Sequence, residues 1–265
     1  MADTQAVKDK AEKYRAPALE KGLDILELLS QYASGLSQAE IAKALDRSPN
    51  EIYRMLTTLV RREYVSRSIE GDRFQLSLKM YSMSHRHPPV TRLLEAAVPM
   101  MRKTAKDVHQ SSHIGMEHQG EIVVVASVEA PGNWSFVLKT GSVIGLWNTG
   151  TGRAIAAFQK PEIRELMYNQ HERALGEPEM SYDQFRAILE EVQQQGFVRM
   201  PSASTVGVTN LAFPILGPDG HAVAALSCPF MERIDDFKAP GIEEVQEAYA
   251  QVAKDITNIY GTVTT

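Results

Sequence analysis

Two helix-start signatures that lie eleven residues apart constrain the first third of this chain more than any other feature. Ser37 is followed three residues later by Glu40, and Ser48 by Glu51. In such a capping box the serine accepts a hydrogen bond from the backbone N–H three residues on, and the glutamate accepts one from the serine N–H. Pro49 takes the first helical position, where a missing N–H costs nothing. The spacing therefore predicts a short helix, a tight turn and a second helix.

The segments on both sides of this helix pair complete a small domain. Leu19, Leu23, Leu26 and Leu29 form an apolar stripe that predicts a helix before the pair. After the pair, the stretch YVSRSIEGDRFQLS alternates apolar and polar residues around EGD, which is typical of a β-hairpin. Three helices followed by a hairpin indicate a winged helix-turn-helix.

The rest of the chain mixes strand and helix patterns, which indicates an α+β domain. EIVVVASVE and WSFVLKT predict strands, TGTGRAIAAF and SYDQFRAILEEVQQQG predict helices, and VTNLAFPIL with HAVAALSCPF predicts a hairpin. Pro88 and Pro89 should interrupt any helix, so a long helix is expected only from about Thr91. We predict four segments: a flexible tail at 1–16, a winged helix-turn-helix domain at 17–79, a linker at 80–92 and an α+β domain at 93–265.

Composition narrows the class of protein. No apolar run approaches the roughly 18 residues that cross a bilayer, the N-terminus is polar, and the single cysteine, Cys228, cannot form an internal disulfide. These features favour a cytoplasmic protein without a membrane partner. The net charge of −5 argues against nucleic acid for the whole chain, but residues 47–67 hold five arginines against two glutamates.

The second helix of the pair has two chemically distinct faces. The apolar face consists of Ile52, Met55, Leu56 and Leu59. The opposite face consists of Asn50, Arg54, Thr57 and Arg61, without a carboxylate. An ordinary solvated face would mix Glu and Lys in favourable pairs, whereas Arg, Asn and Thr suit guanine, adenine, thymine methyl and phosphate groups. This face predicts recognition of double-stranded DNA in the major groove.

The predicted DNA-binding set extends from this face into the preceding turn and the following hairpin. Arg67 and Arg73 flank the hairpin tip, where they are expected to reach phosphates or a minor groove. The full set comprises Gln38, Arg47, Ser48, Asn50, Glu51, Tyr53, Arg54, Thr57, Arg61, Arg67 and Arg73.

Several stretches resemble, in order, the winged-helix segment of the IclR family of bacterial transcription regulators: PALEKGLDILELL, LSQAEIAKAL, SPNEIYRMLTTLVRREYV and GDRFQLSLKM. Asn50 and Glu51 replace the family's usual Lys-Ser, Ile52 its Thr and Ser77 the glycine of the wing, which bears on the operator sequence that the chain would recognise. The resemblance covers roughly residues 17–260. It implies that the α+β domain is GAF-like and binds a small-molecule effector, typically an organic acid from a catabolic pathway.

The resemblance also implies an effector site. In GSVIGLWNTGTGRAIAAF, Gly150 and Thr151 match the family's amide donors, and a helix start favours an anion such as a carboxylate. Ser227 matches a hydroxyl ligand and Asn210 replaces the pocket cysteine. The apolar walls would come from four further residues and suit a carboxylate with an apolar or aromatic body. The predicted set is Phe136, Ile144, Leu146, Trp147, Gly150, Thr151, Asn210 and Ser227.

The sequence gives little support for an enzyme. His113 and His118 do not converge on one face of a strand or helix, Cys228 has no histidine beside it, and no nucleotide-binding or hydrolase motif occurs. We expect no catalytic residue, no metal site and no cofactor. A metabolic enzyme, or a GAF-type sensor, that uses the basic helices as an interaction module stays open. The expected regulator, repressor or activator, binds a pseudo-palindromic operator as a homodimer or as a dimer of dimers.

Overall fold

The structure is a computed structural model that describes residues 16–69, 71–133, 135–235 and 237–261. The predicted tail at 1–16 lies outside the described residues except for Ala16. The chain divides between His87 and Pro88 into two compact units. Along the described ranges, no helix is both long and apolar enough to cross a membrane.

The first unit is a three-helix domain with a two-stranded antiparallel wing. Its elements are α1 (Pro17–Ser30), α2 (Gln38–Ala44), α3 (Pro49–Arg61), β1 (Val65–Arg67), β2 (Phe74–Leu76) and α4 (Lys79–Ser84). Both predicted capping boxes form, at Ser37 and at Ser48. Leu36 pairs with Phe74 through two backbone hydrogen bonds of 2.7 and 3.0 Å, so the turn before α2 is fastened to the wing.

The core of this unit follows the predicted stripes with one correction. Ile25, Leu26 and Leu29 of α1 pack with Ile52 and Leu56 of α3. Leu19 and Leu23 belong to the predicted stripe but not to the core, because they are 62% and 47% exposed. They lie toward the first turns of α1 and leave an apolar surface there.

The segment predicted as a linker contains helix at both of its ends. α4 covers part of it, and α5 (Pro88–Val108) begins at the prolines expected to interrupt a helix. The expectation fails because Pro88 and Pro89 occupy the first turn, where backbone N–H groups have no intrahelical acceptor to lose.

The second unit is an α+β domain built on one antiparallel sheet. Its elements after α5 are β3 (Ser112–His118), β4 (Glu121–Val128), β5 (Val143–Ile144), α6 (Gly150–Ala157), α7 (Pro161–Gln170), α8 (Tyr182–Gln195), β6 (Val198–Pro201), β7 (Val208–Leu216), β8 (Ala222–Met231) and α9 (Ile242–Gly261). The strand order is β5-β4-β3-β8-β7-β6, with every neighbouring pair antiparallel.

Helices cover both faces of this sheet and enclose two cores. On one face α5 and α9 pack against Ala224, Leu226 and Cys228 of β8. On the other face α6 and α8 pack against strand residues that include Ala225. Because neighbouring strand residues point to opposite faces, Ser227 faces α6 while Cys228 faces the α5–α9 core.

Several predicted elements form and some do not. α8 is capped by Ser181 and ends at Gly196, which has a positive φ of 83°. The strand predicted by WSFVLKT is wrong for its described residues 135–140, because the free edge of β4 pairs with Val143–Ile144 and the turn before it. β3, β6 and α7 were not predicted from the sequence.

Candidate functional site

The outer face of α3 presents polar side chains that the domain itself leaves unused. Asn50, Arg54 and Arg61 are exposed, and none of the three side chains has a hydrogen bond or ion pair to any residue that the structure describes. Tyr53, beside them, is 59% exposed. The hydroxyl of Thr57 donates to the backbone oxygen of Tyr53 at 2.8 Å, which leaves its methyl group and its lone pairs free. The outer face of α3 thus carries cationic and amide donors that have no hydrogen-bond or ion-pair partner among the described residues.

Three of the predicted DNA contacts hold α3 in place within the domain. Gln38 on α2 donates from Nε2 to the backbone oxygen of Pro49 at 2.9 Å. Glu51 completes the capping box with Ser48 and pairs with Lys21 of α1. The hydrogen bonds from Lys21 and Ser48 lower the pKa of Glu51 to about 2. These contacts fix the start of α3 against α1 and α2.

The arginines predicted around the turn and the wing differ in their surroundings. Arg73 donates to the backbone oxygens of Ser34 and Gly35 at 3.2 and 2.9 Å and lies 3.3 Å from Glu40. It therefore fastens the wing to the turn before α2. Arg67 donates to the backbone oxygen of Gly71 within the wing itself and is exposed.

Arg47, in the turn between α2 and α3, reaches Asp24 of α1 at 3.9 Å. Its side chain is 42% exposed. An ion pair of this length at the surface is weak, so the guanidinium stays available to an anion.

A cavity of about 120 Å³ lies between the sheet and the start of α6. Six of the eight predicted effector contacts line it: Phe136, Ile144, Gly150, Thr151, Asn210 and Ser227. The other lining residues are His113, Leu138, Asn148, Thr149, Ser202, Ala203, Ser204 and Pro229. Because no Lys, Arg, Asp or Glu is among these described residues, the lining combines polar and apolar groups without any permanent charge.

A chain of buried hydrogen bonds crosses the cavity. Nε2 of His113 lies 3.0 Å from Oγ1 of Thr151, which lies 2.8 Å from Oγ of Ser227. Burial lowers the pKa of His113 to about 4, so its ring is neutral near pH 7. Its Nδ1, like Oδ1 of Asn148, is buried and has no hydrogen-bond partner among the described residues. An unpaired buried polar atom costs about 1–3 kcal/mol, which a bound ligand can recover.

Close packing, not flexibility, explains the glycines at the start of α6. A Cβ on Gly152 would lie 2.1 Å from the backbone oxygen of Leu146. A Cβ on Gly115 of β3 would lie 2.5 Å from Cγ2 of Thr151. Small residues here let the first turn of α6 approach the sheet, which places Thr151 within reach of His113 and Ser227.

The prediction is wrong for Leu146 and Trp147, which do not line the cavity. Leu146 is fully buried in the α6–α8 core. Trp147 is 5% exposed, and its Nε1 donates to the backbone oxygen of Pro178 at 2.9 Å. The apolar character that suggested a ligand wall reflects packing behind the site.

A buried Glu177–His171 pair supports the loop that leads into α6. Oε1 of Glu177 accepts hydrogen bonds from the backbone N–H groups of Trp147 and Asn148 at 3.0 and 3.2 Å. Oε2 lies 2.7 Å from Nε2 of His171, whose Nδ1 lies 2.7 Å from the backbone oxygen of Gly120. Since a carbonyl oxygen only accepts, Nδ1–H donates to Gly120, and the contact between Nε2 and Oε2 requires a further hydrogen on one of these two atoms. The pair therefore orders Asn148 and Thr149 at the cavity wall.

From the sequence, His113 was weighed only as a metal ligand, and Asn148, Thr149 and Glu177 were not predicted to belong to the effector site. The residues around His113 in the sequence could not show that it lines the cavity, because its hydrogen-bond partners there lie 38 residues away or further along the chain. Thr149 could have been found as the N-cap of α6, since its side chain accepts from the Gly152 N–H at 3.0 Å.

A second, larger cavity of about 470 Å³ adjoins the first. The two share Phe136 and Pro229 in their linings. Its walls include His109, Gln110, Met231 and Arg233. A ligand whose polar end occupies the small cavity therefore has room for a larger body on the outer side of Phe136.

Comparison with family models identifies both units. Residues 89–258 match the model described as the bacterial transcriptional regulator IclR C-terminal domain. Residues 18–68 match the IclR helix-turn-helix domain.

Individual relatives are distant but extensive in coverage. The glycerol operon regulatory protein of Streptomyces griseus is 23% identical over 90% of this chain and 96% of its own. The HTH-type transcriptional regulator KdgR of Escherichia coli K12 is 22% identical over 72% of this chain and 73% of its own.

Among solved structures, an IclR homologue from Microbacterium hydrocarbonoxydans complexed with 4-hydroxybenzoate superposes with a TM-score of 0.74 at 18% identity. The alignment covers 92% of this chain and 98% of that one. At this identity the likeness shows the fold: a helix-turn-helix domain followed by a GAF-like α+β domain.

Proposed function

Because this chain belongs to the IclR family of bacterial transcription regulators, we propose that it reads its operator with the outer face of α3. We further propose that operator binding responds to a small organic acid held in the cavity beside α6. The observation that supports the DNA contact best is the set of exposed donors on α3 without a partner in the described part of the domain.

Asn50, Arg54 and Arg61 lie along one edge of a helix that both capping contacts and the Gln38 hydrogen bond hold in place. A rigid helix places its side chains in the major groove with little loss of entropy. Arg54 suits a bidentate contact to guanine, and Asn50 suits adenine. Arg47 and Arg67 are positioned to contact phosphates on either side.

The assignment of the remaining predicted contacts changes. Gln38, Ser48, Glu51 and Arg73 are proposed as positioning residues, since each makes a contact inside the domain. Their effect on DNA binding would come through the placement of α3 and of the wing.

The cavity provides a complementary site for a small carboxylate. Backbone N–H groups at the start of α6 and the hydroxyls of Thr151 and Ser227 are neutral donors around it. Phe136, Ile144 and Pro229 give it apolar walls. The relative bound to 4-hydroxybenzoate supports an aromatic acid of this kind as a first candidate.

The proposed regulator acts as a dimer on two half-sites about 34 Å apart, one helical turn of DNA. The effector changes operator affinity only to the extent that it binds the two states of the protein differently. Repression and activation are both compatible with this scheme.

Selection of bound duplexes from a random DNA library tests the DNA-binding proposal. We expect enrichment of a pseudo-palindrome, and strong protection of its half-sites in a footprint of the selected sequence. A double variant, Asn50→Ala with Arg54→Ala, should lose the enrichment, whereas Arg186→Ala, at an exposed position of α8, should keep it. Equal binding of all duplexes by the wild type would contradict base recognition by α3.

The same selection also tests the alternatives, in which the chain is an enzyme or a sensor that acts through other proteins. Either alternative requires that no sequence be enriched at moderate salt. Adding 4-hydroxybenzoate or pyruvate to the complex with the selected duplex then tests the effector, since a shift in operator affinity is expected.

A further inference from the structure

The cavity beside α6 poses an electrostatic problem for the acid proposed to bind there. Its lining contains no lysine or arginine among the described residues. A carboxylate that leaves water for a buried site needs a compensating charge or several strong donors, because burial of an isolated charge costs several kcal/mol. Neutral donors and one helix start compensate only part of this cost.

Among the described lining residues, His113 is the only one whose side chain can become a cation. Its ring is buried, with 4% of its surface exposed, and it lies at the end of the Thr151–Ser227 chain. We propose that the effector is a monoanionic carboxylate that binds together with one proton taken up from solvent by His113. This inference rests on the proposed effector site.

Protonation of His113 fixes which atom donates and which accepts in each hydrogen bond of the cavity. In the imidazolium both ring nitrogens are donors, so Nε2–H donates to Oγ1 of Thr151. The Thr151 hydroxyl then donates to Oγ of Ser227, and the Ser227 hydroxyl is left to donate to the ligand. Nδ1, unpartnered among the described residues, gains a proton and becomes a second free donor.

The direction of the equilibrium follows from the unliganded protein. Burial holds the pKa of His113 at about 4, so the ring is neutral at pH 7 and binds a proton only when an anion arrives. An opposite charge within about 4–6 Å raises a pKa by about 1–3 units. A rise of about two units makes the carboxylate bind roughly tenfold more tightly at pH 5 than at pH 7.5.

Other titratable groups near His113 do not take this role, because none of them lines the cavity. Ser227 separates it from Cys228, which faces the opposite core. The charged or titratable groups on the described surrounding elements are Glu117 and His118 on β3, Glu121 on β4, exposed Lys139 between Phe136 and Ile144, Arg153 on α6, Arg199 on β6, and the Glu177–His171 pair behind Asn148.

Isothermal titration calorimetry on the full chain tests the proton. Benzoate, 4-hydroxybenzoate and pyruvate are titrated at pH 6 in MES and in bis-tris, whose protonation enthalpies differ. We expect the binding enthalpy of the acid that binds to depend on the buffer, with an uptake of about half a proton at pH 6, as a bound-state pKa near 6 requires. Benzamide, the neutral counterpart of benzoate, should show no such dependence.

Two variants distinguish the loss of proton uptake from the loss of ligand affinity. His113→Gln keeps a hydrogen-bonding group but cannot take up a proton at this pH, so the buffer dependence should vanish and affinity should no longer change with pH. Ser227→Ala should weaken binding and keep the buffer dependence. Proton uptake that persists in His113→Gln would overturn the assignment to His113.

If a variant does not fold, a measurement on the wild-type protein still tests the proposal. The ring of His113 can be titrated by NMR with and without the bound acid, and its pKa should rise on binding. An acid that binds without proton uptake overturns this inference and leaves the effector site standing. If none of the three acids binds, the proposed effector class fails, and this inference fails with it.

Discussion

The outer face of α3 and the cavity beside α6 differ in their exposure to solvent and in the charges that they carry. The α3 face is exposed, and its arginines keep their hydration until a partner arrives. The cavity reaches from solvent-exposed Phe136 to buried His113, and its described lining consists of neutral polar and apolar groups. A polyanion can be attracted by exposed permanent charges, because they cost no desolvation in the free protein. Inside a core the same charges would be costly.

The two regions also differ in how they are supported. The polar face of α3 depends on a single helix and its caps. The cavity depends on β3, β8, the start of α6 and the buried pair behind it, which come from distant parts of the sequence. Changes on α3 should therefore affect function more than folding, and changes around the cavity should affect both.

The largest expected effect tests the support of the cavity. Glu177→Ala removes the carboxylate that accepts hydrogen bonds from three backbone N–H groups and pairs with buried His171. We therefore expect a loss of about 3–5 kcal/mol in unfolding free energy. Urea denaturation measures it. Glu179→Ala, at an exposed position paired with Arg173, should change stability by less than about 0.5 kcal/mol. Equal losses of unfolding free energy in the two variants would show that buried Glu177 contributes no more to stability than exposed Glu179.

The second effect concerns the pH dependence of stability. His113 titrates near 6.5 when unfolded and near 4 when folded, so the unfolded chain binds more protons in this window. Its contribution is complete above pH 6.5 and is lost as the pH falls toward 4, by roughly 3 kcal/mol. His113→Gln should flatten this part of the stability profile.

His118→Gln is the matched control for that profile, because His118 lies exposed on the same strand. Its variant should keep the wild-type dependence. A wild-type stability that stays constant from pH 6.5 to pH 4.5 would show that His113 is not kept neutral by burial.

The third prediction tests the α3 face. Arg54→Ala should weaken binding to the selected operator by about 1–3 kcal/mol and relax the preference at one base pair. Because Arg54 has no partner in the described residues, the unfolding free energy should stay within about 0.5 kcal/mol of the wild type. Equal losses on operator and random DNA would argue for a phosphate contact instead.

The smallest effects distinguish the two arginines of the wing. Arg67→Ala should lower the salt dependence of DNA binding by about one counterion, as expected for a phosphate contact. Arg73→Ala should instead cost about 1 kcal/mol of stability, since its hydrogen bonds to Ser34 and Gly35 are lost. Salt titrations and thermal unfolding of both variants measure the difference. An unchanged salt slope in Arg67→Ala would remove it from the proposed DNA contacts.

Local signals determined much of the first unit. The serine–glutamate pairs at Ser37 and Ser48 predicted where α2 and α3 begin, because a cap acts within one helical turn. The spacing of Ile52 and Leu56 against Asn50 and Arg54 likewise predicted which side of α3 is buried. What the sequence left open was which polar residues the domain uses itself, as Gln38 and Arg73 show.

The effector site followed from the sequence in part. Gly150, Thr151, Asn210 and Ser227 were predicted because the family resemblance aligned the glycine-rich start of α6 and the hairpin of β7 and β8. Phe136 and Ile144 were predicted as apolar walls. Leu146 and Trp147 were misassigned, since an apolar residue beside a site has the same sequence signature whether it faces a ligand or the core.

The sequence by itself determined where α2 and α3 begin, the polar edge of α3 and the order of the two units, because these depend on neighbours within a few residues. Only the tertiary structure decided that His113, Thr151 and Ser227 meet in one uncharged cavity, and that Glu177 and His171 stand behind it. The reason is that burial and the distance between charges are set by sheet pairing and helix packing across more than a hundred residues of chain.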